Sequence, residues 1–167
     1  GGAAVSWGRG TLVLDPQQNG PRGYANGGFA CGALARFVRG APVEVTLRAP
    51  VPVGEPLAVK SRLGGGAELL RRQIRGPVVL AEAVPVDPFV AEPPYRPTPD
   101  EAQAAWDAHP FRGLDLPLSD CVVCGAERLD GLRICFGPLP DHPEMMASPF
   151  VVPEAFCGDR GELRTPA

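Results

Sequence analysis

Between Val43 and Arg48 apolar and polar residues alternate strictly: Val43, Val45 and Leu47 against Glu44, Thr46 and Arg48. A period of two puts one set on a buried face and the other in water, so the segment predicts a half-buried strand. Two further β-compatible runs follow, "AELLRRQIR" from Ala67 and "PVVLAEAVPV" from Pro77, and the turn sequences GEP, GGG and GP punctuate the region. Ala, Glu, Leu and Arg favour helix by intrinsic propensity, which gives "AELLRRQI" a helical alternative. Strand is the preferred reading. Gly64-Gly65-Gly66 before the run and Gly76-Pro77 after it leave little room for anything but a hairpin.

Upstream the period changes. Phe29, Ala30, Ala33, Leu34, Phe37 and Val38 recur at helical spacing, with Arg36 and Arg39 in the last turn and Gly40 just past it. This predicts a helix over 29–38. Its small residues, Ala30, Cys31, Gly32, Ala33 and Ala35, let neighbouring backbone come close, as in a buried helix wrapped by a sheet. Before it, the Thr-Leu-Val-Leu run within residues 5–14 suits a short strand, and "DPQQNGPRG" is turn chemistry throughout. The order is strand, helix, then an antiparallel meander of three or four strands, an α+β domain over residues 1–90.

Composition changes at "DPFVAEPPYRPTP", where five prolines in thirteen residues predict an extended linker. Residues 91–110 are read as this linker plus a short helix, "TPDEAQAAWDAH", with Thr98 as cap, Pro99 first and Glu101 closing a capping box. Residues 111–167 form a cysteine-containing extension with two strand-like pieces, "CVVCGAERLDGLRICFGPL" and "MMASPFVVPEAF".

A chain of 167 residues with 44% hydrophobic and 21% charged residues has the makings of a folded core. Its net charge of −3 offers no basic field for a nucleic acid. No run approaches the ~18 apolar residues of a membrane span, and no signal-peptide pattern appears, so the expected location is the cytoplasm. Five cysteines, Cys31, Cys121, Cys124, Cys135 and Cys157, form an odd set, which favours thiols or a metal over a disulfide frame.

Cys121 and Cys124 have the spacing that clamps one side of a tetrahedral zinc, and Gly125 frees the turn after them. Cys135, His142 or Cys157 would complete the set, but their spacing is irregular and no second C-x-x-C follows. The competing reading makes these cysteines small, partly buried hydrophobes, Cys31 and Cys135 the clearest cases. A redox C-x-x-C is weaker still, because that motif opens a helix after a strand and "LPLSDCVVCG" reads as loop. His109 suits the end of the short helix, and His142 an exposed loop. Asp15 and Asp87 precede prolines as turn residues, and Trp7 and Trp106 read as packing residues.

Residues 19–35, with Asn19, Gly23, Asn26-Gly27-Gly28 and the small-residue helix, resemble the start of the central helix in the hotdog fold of acyl-CoA thioesterases. The meander of residues 43–86 fits the antiparallel sheet that wraps that helix. The resemblance covers residues 5–90. The segment "CVVCGAERLDGLRICFGPL" resembles one in actinobacterial thioesterase-like proteins, which implies a second hotdog unit beginning at residues 131–156 and continuing past Ala167.

The resemblance implies that backbone N–H groups of Gly28 and Phe29 polarise a thioester carbonyl at the helix start. Asn26 orients substrate or water, Gly27 with Gly28 permits the tight turn, and Asn19, Gly23 and Tyr24 contribute to substrate binding. A helix N-terminus with free N–H groups and a positive dipole end suits an oxygen acquiring charge, and glycines there let a substrate approach the backbone.

Two departures stand out. Asn26 replaces a common histidine, and the expected acid two turns into the helix is replaced by Leu34-Ala35-Arg36. The implied function is hydrolysis of an acyl-CoA or acyl-carrier thioester, without cofactor, by a homodimer or an internal double hotdog that covers the free sheet edge. The alternatives are a non-catalytic acyl-binding module and a zinc-stabilised interaction protein.

Overall fold

The computed structural model describes residues 10–39 and 42–157; Trp7 and Gly40, expected to pack and to follow a helix, lie outside them. The described residues divide into two units, 10–19 with 23–89, and 20–22 with 90–157.

The first unit is α+β. Strands β1 (Thr11–Leu12), β2 (Val43–Leu47), β3 (Leu57–Ser61), β4 (Ala67–Arg71) and β5 (Val78–Pro85) form one antiparallel sheet in the order β1-β3-β4-β5-β2. Helix α1 (Gly27–Ala35) falls between β1 and β2 in sequence and packs on β2, β4 and β5. "AELLR" is strand, as its flanking glycines predict. Ala67 and Leu69 point into the core, while Ile74, beyond the strand's end, is fully exposed.

Leu12, Leu14, Leu34, Leu57 and Leu69 are fully buried, and Ala30, Ala33, Ala81 and Ala83 fill the close space between helix and sheet. A helix lined with alanine sits near its sheet, so burial here comes from close backbone approach rather than from large side chains.

Helix α1 starts two residues before the expected Phe29 and stops three before Val38. Asn26 is its N-cap, so both glycines fall inside the first turn. At the other end Phe37 and Val38 donate to the carbonyls of Leu34 and Ala35, tighter bonds that close the helix early.

Strand β5 carries a bulge: Leu69 faces Ala81 and Leu70 faces Val79, leaving Leu80 as the extra residue. Its carbonyl accepts the N–H groups of Arg48 (2.8 Å) and Ala49 (3.2 Å) just past β2. On the opposite face Glu68 and Glu82 stand directly across β4 and β5, a repulsive pairing. Arg62 reaches both, at 3.6 and 2.7 Å, and Arg48 binds Glu82 at 2.7 Å. The Arg48 hydrogen bond, partly offset by burial and helped by Arg62, holds the Glu82 carboxyl below its ordinary range.

In the second unit helix α2 (Pro99–Asp107) packs against a two-stranded ribbon, β6 (Gly137–Pro138) and β7 (Met146–Ala147). The strand-like pieces expected over 121–139 and 145–156 are therefore mostly turns. Bonds such as Gly125 N–H to Cys121 O (2.9 Å) and Arg128 N–H to Gly125 O (3.3 Å) curl the chain locally, and side chains enter the core from turns.

The capping box of α2 is present. Thr98 Oγ1 accepts from the Glu101 N–H at 3.3 Å, and Glu101 accepts from the Thr98 N–H at 2.7 Å and from Tyr95 Oη at 2.8 Å. The Thr98 backbone bond, then the Tyr95 and Thr98 side chains, hold the Glu101 carboxyl below its usual range. Thr98→Ala is expected to cost about 1 kcal/mol, read from the urea midpoint. Because Glu101 has a lowered folded pKa, its contribution is present above the unfolded carboxylate value and lost as pH falls through the folded one. The acid arm of stability against pH flattens in Glu101→Gln.

Candidate functional site

The expected residues at the start of α1 form one turn. Asn26 Oδ1 accepts from the N–H of Gly28 at 2.9 Å and of Phe29 at 3.3 Å. These are the groups expected to meet a substrate carbonyl, and the side-chain amide of Asn26 occupies them. An oxygen docking there displaces that amide. Gly28 is exposed, whereas the Phe29 ring is buried and contributes through its backbone.

The turn is anchored on both sides. The Asn26 N–H donates to Gln18 O at 2.8 Å, the Ala25 N–H to Val51 O at 2.7 Å, and bridges join Asn19 to Ala25 and Tyr24 to Pro52. Asn19 is buried in this zipper, Gly23 takes a positive φ of 82° in its turn, and the Tyr24 ring is exposed. Gly27 has a packing reason of its own: a Cβ there would stand 3.3 Å from Leu47 Cδ1 at the end of β2. Helix α1 has no acidic residue, so a water-activating carboxylate does not come from it.

The cysteine candidates separate into two groups. Cys121, Cys124 and Cys135 share one hairpin: the Cys124 N–H donates to Cys121 Sγ at 3.5 Å, and Cys135 Sγ donates to Cys124 O at 3.1 Å. His142 stands apart, tilted against Tyr95 with ring centroids 4.6 Å apart and Nδ1 3.6 Å from Glu144. Cys157 bonds to the carbonyls of Val152 and Pro153. Among the described residues no group of three His, Cys, Asp or Glu side chains is arranged to hold a metal ion. Burial raises the Cys31 and Cys135 thiols. Cys124 is pushed well up by its contact with the Cys121 thiol, then by burial.

The sequence reading missed an apolar pocket of about 400 Å³ in the second unit. Phe111, Leu114, Leu116, Leu118, Phe136 and Met146 line it, with His109, Ser119, Cys124 and Glu127 on its wall. Ser119 Oγ ties the loop by accepting from the Leu116 N–H and donating to Leu114 O, each at 2.7 Å. His109 Nδ1 lies 2.9 Å from Phe136 O; a carbonyl only accepts, so Nδ1 is the donor in this bond. Ser119 Oγ is thus committed to the fold, and the lining is mostly apolar, which suits an apolar occupant. The only sequence signal was large apolar residues in "PFRGLDLPLSD" without helix or strand period.

Trp106 does more than fill space, since the Arg112 guanidinium lies 3.7 Å over its ring. Among the described residues no helix is long and apolar enough to cross a membrane. No protein-family model, curated protein or solved structure gives a significant match to the chain.

Proposed function

We propose that the chain handles an acyl thioester as a hotdog-type protein, with the thioester carbonyl docking at the N-terminus of α1. The observation that carries this reading is the placement of α1. Among the described residues a single α-helix between β1 and β2 packs on β2, β4 and β5 of an antiparallel sheet and carries two glycines in its first turn. In the hydrolytic form, Asn26 leaves its cap to orient substrate or water, and the N–H groups of Gly28 and Phe29 polarise the carbonyl. A carboxylate from a second subunit or repeat activates water. The substrate is an acyl-CoA or an acyl-carrier thioester.

A second reading, acyl binding without turnover, is favoured by the Asn26 amide on those same N–H groups and by Arg36 where an acid would serve catalysis. One experiment separates the two: binding by calorimetry and thiol release across a panel of acyl-CoAs. Binding with release supports hydrolysis, binding alone supports the module, and neither overturns the thioester reading.

Asn26→Asp sharpens the test. A carboxylate is as good a cap as the amide and complements the helix dipole, so stability is kept. The same charge repels a carbonyl oxygen, and acyl-CoA affinity is expected to fall about tenfold or more, a loss of at least about 1.4 kcal/mol.

A further inference from the structure

We propose that Cys121 and Cys124 form a two-coordinate thiolate site for a soft monovalent cation of the Cu(I) type. The pair is set in a prebuilt turn. The Gly125 N–H closes it onto Cys121 O at 2.9 Å, and the Cys124 N–H points at Cys121 Sγ at 3.5 Å. A Cβ on Gly125 would come within 2.6 Å of Cys121 O and 2.7 Å of Ser119 O, so the turn requires glycine.

The segment 132–134 clamps the residues between the two thiols. Leu132 donates to Val122 O at 2.7 Å and Ile134 to Val123 O at 2.8 Å. The turn's shape is therefore fixed independently of any ion, which reduces the ordering cost of binding.

The chemistry selects the cation. The Cys124 N–H at 3.5 Å from Cys121 Sγ holds both cysteines on one turn, so one small ion can meet two sulfurs there. Cys135 is fully buried and commits its S–H to Cys124 O at 3.1 Å, which makes it a brace for the turn. With no third ligand arranged among the described residues, the four-coordinate demand of zinc goes unmet. Two sulfurs suit a d¹⁰ monovalent ion, which accepts linear coordination and prefers thiolate.

Access and medium agree with this assignment. Cys121 is buried, but Cys124 is half-buried and opens on the apolar pocket, a dry surrounding that disfavours strongly hydrated ions. Binding forms two S–Cu bonds, releases one proton from each thiol, and leaves the oxidation state of copper and sulfur unchanged.

The test uses the full reduced chain under anaerobic conditions, titrated with Cu(I) held by the chromophore bicinchoninate. One Cu(I) per chain is expected to be withdrawn, with an X-ray absorption spectrum of two sulfur donors. Cys121→Ser and Cys124→Ser each lower the affinity by more than about 100-fold, beyond the usual effect of outer-sphere changes. Cys135→Ala, Cys31→Ser and Cys157→Ser each keep the one-to-one stoichiometry. If Cys121→Ser does not fold, as circular dichroism would show, Cys124→Ser on the open side decides the matter alone. No withdrawal of Cu(I), an unchanged affinity in Cys124→Ser, or a loss in Cys135→Ala equal to that in Cys124→Ser overturns the two-sulfur site.

Discussion

Leu34→Ala is expected to destabilise the first unit by about 2–5 kcal/mol, the range for emptying a fully buried leucine position. Leu34 is the largest residue that α1 places in the main core, a cluster that also holds Ala30, Ala33, Ala81 and Ala83. The fully buried position leaves a cavity that the surrounding core fills only in part, so the cost falls within that range. Equilibrium unfolding in urea by circular dichroism reads it as a lower midpoint at unchanged slope. A loss below about 0.5 kcal/mol, the size typical of a surface change, would show that Leu34 does not anchor the helix.

The second large effect is local to the other unit. In Gly137→Ala the new methyl would lie inside the van der Waals radius of Ala105 O, with Ala105 C at 3.0 Å and His109 N at 3.1 Å. All three neighbours are backbone, so no rotamer relieves the clash, and α2 must move off β6. Overpacking of a close contact costs about 1–3 kcal/mol and occasionally more. Hydrogen exchange locates the damage. Amide protection falls at Ala108, which bonds to Ala104 O, and at Leu139, which bonds to Met145 O, while β3, β4 and β5 keep theirs. Unchanged protection in α2 would show that the helix accommodates the methyl.

The first unit was largely legible because its signals are local. The alternation from Val43 to Arg48 and the glycines on either side of "AELLR" each prescribe a strand by themselves. The start of α1 was placed late because two glycines read as loop; the stronger signal was Asn26, a capping residue, which moves them inside the helix. The cap itself explains why the candidate site differs from expectation. Periodicity finds a helix end but does not reveal whether its N–H groups are already taken.

The second unit was harder for a physical reason. "CVVC" and "LRICF" have strand propensity, yet the closures at Gly125 and the positive φ of 55° at Arg133 break the chain into turns. The resulting core rests on long-range meetings, such as Gly137 against Ala105 and Cys135 against Cys124, which no window of sequence contains. The pocket follows from the same irregularity, since Leu114 and Leu118 converge through a loop held by Ser119.

The amide of Asn26 has one more consequence. Covalently attached beside its own binding position, it acts as a tethered competitor whose local concentration never falls. Any acceptor that docks on the Gly28 and Phe29 N–H groups must first outcompete it. A cap worth about 1 kcal/mol weakens such a ligand about fivefold. It also keeps the first turn of α1 helical with no acceptor present, so the turn holds its shape by itself.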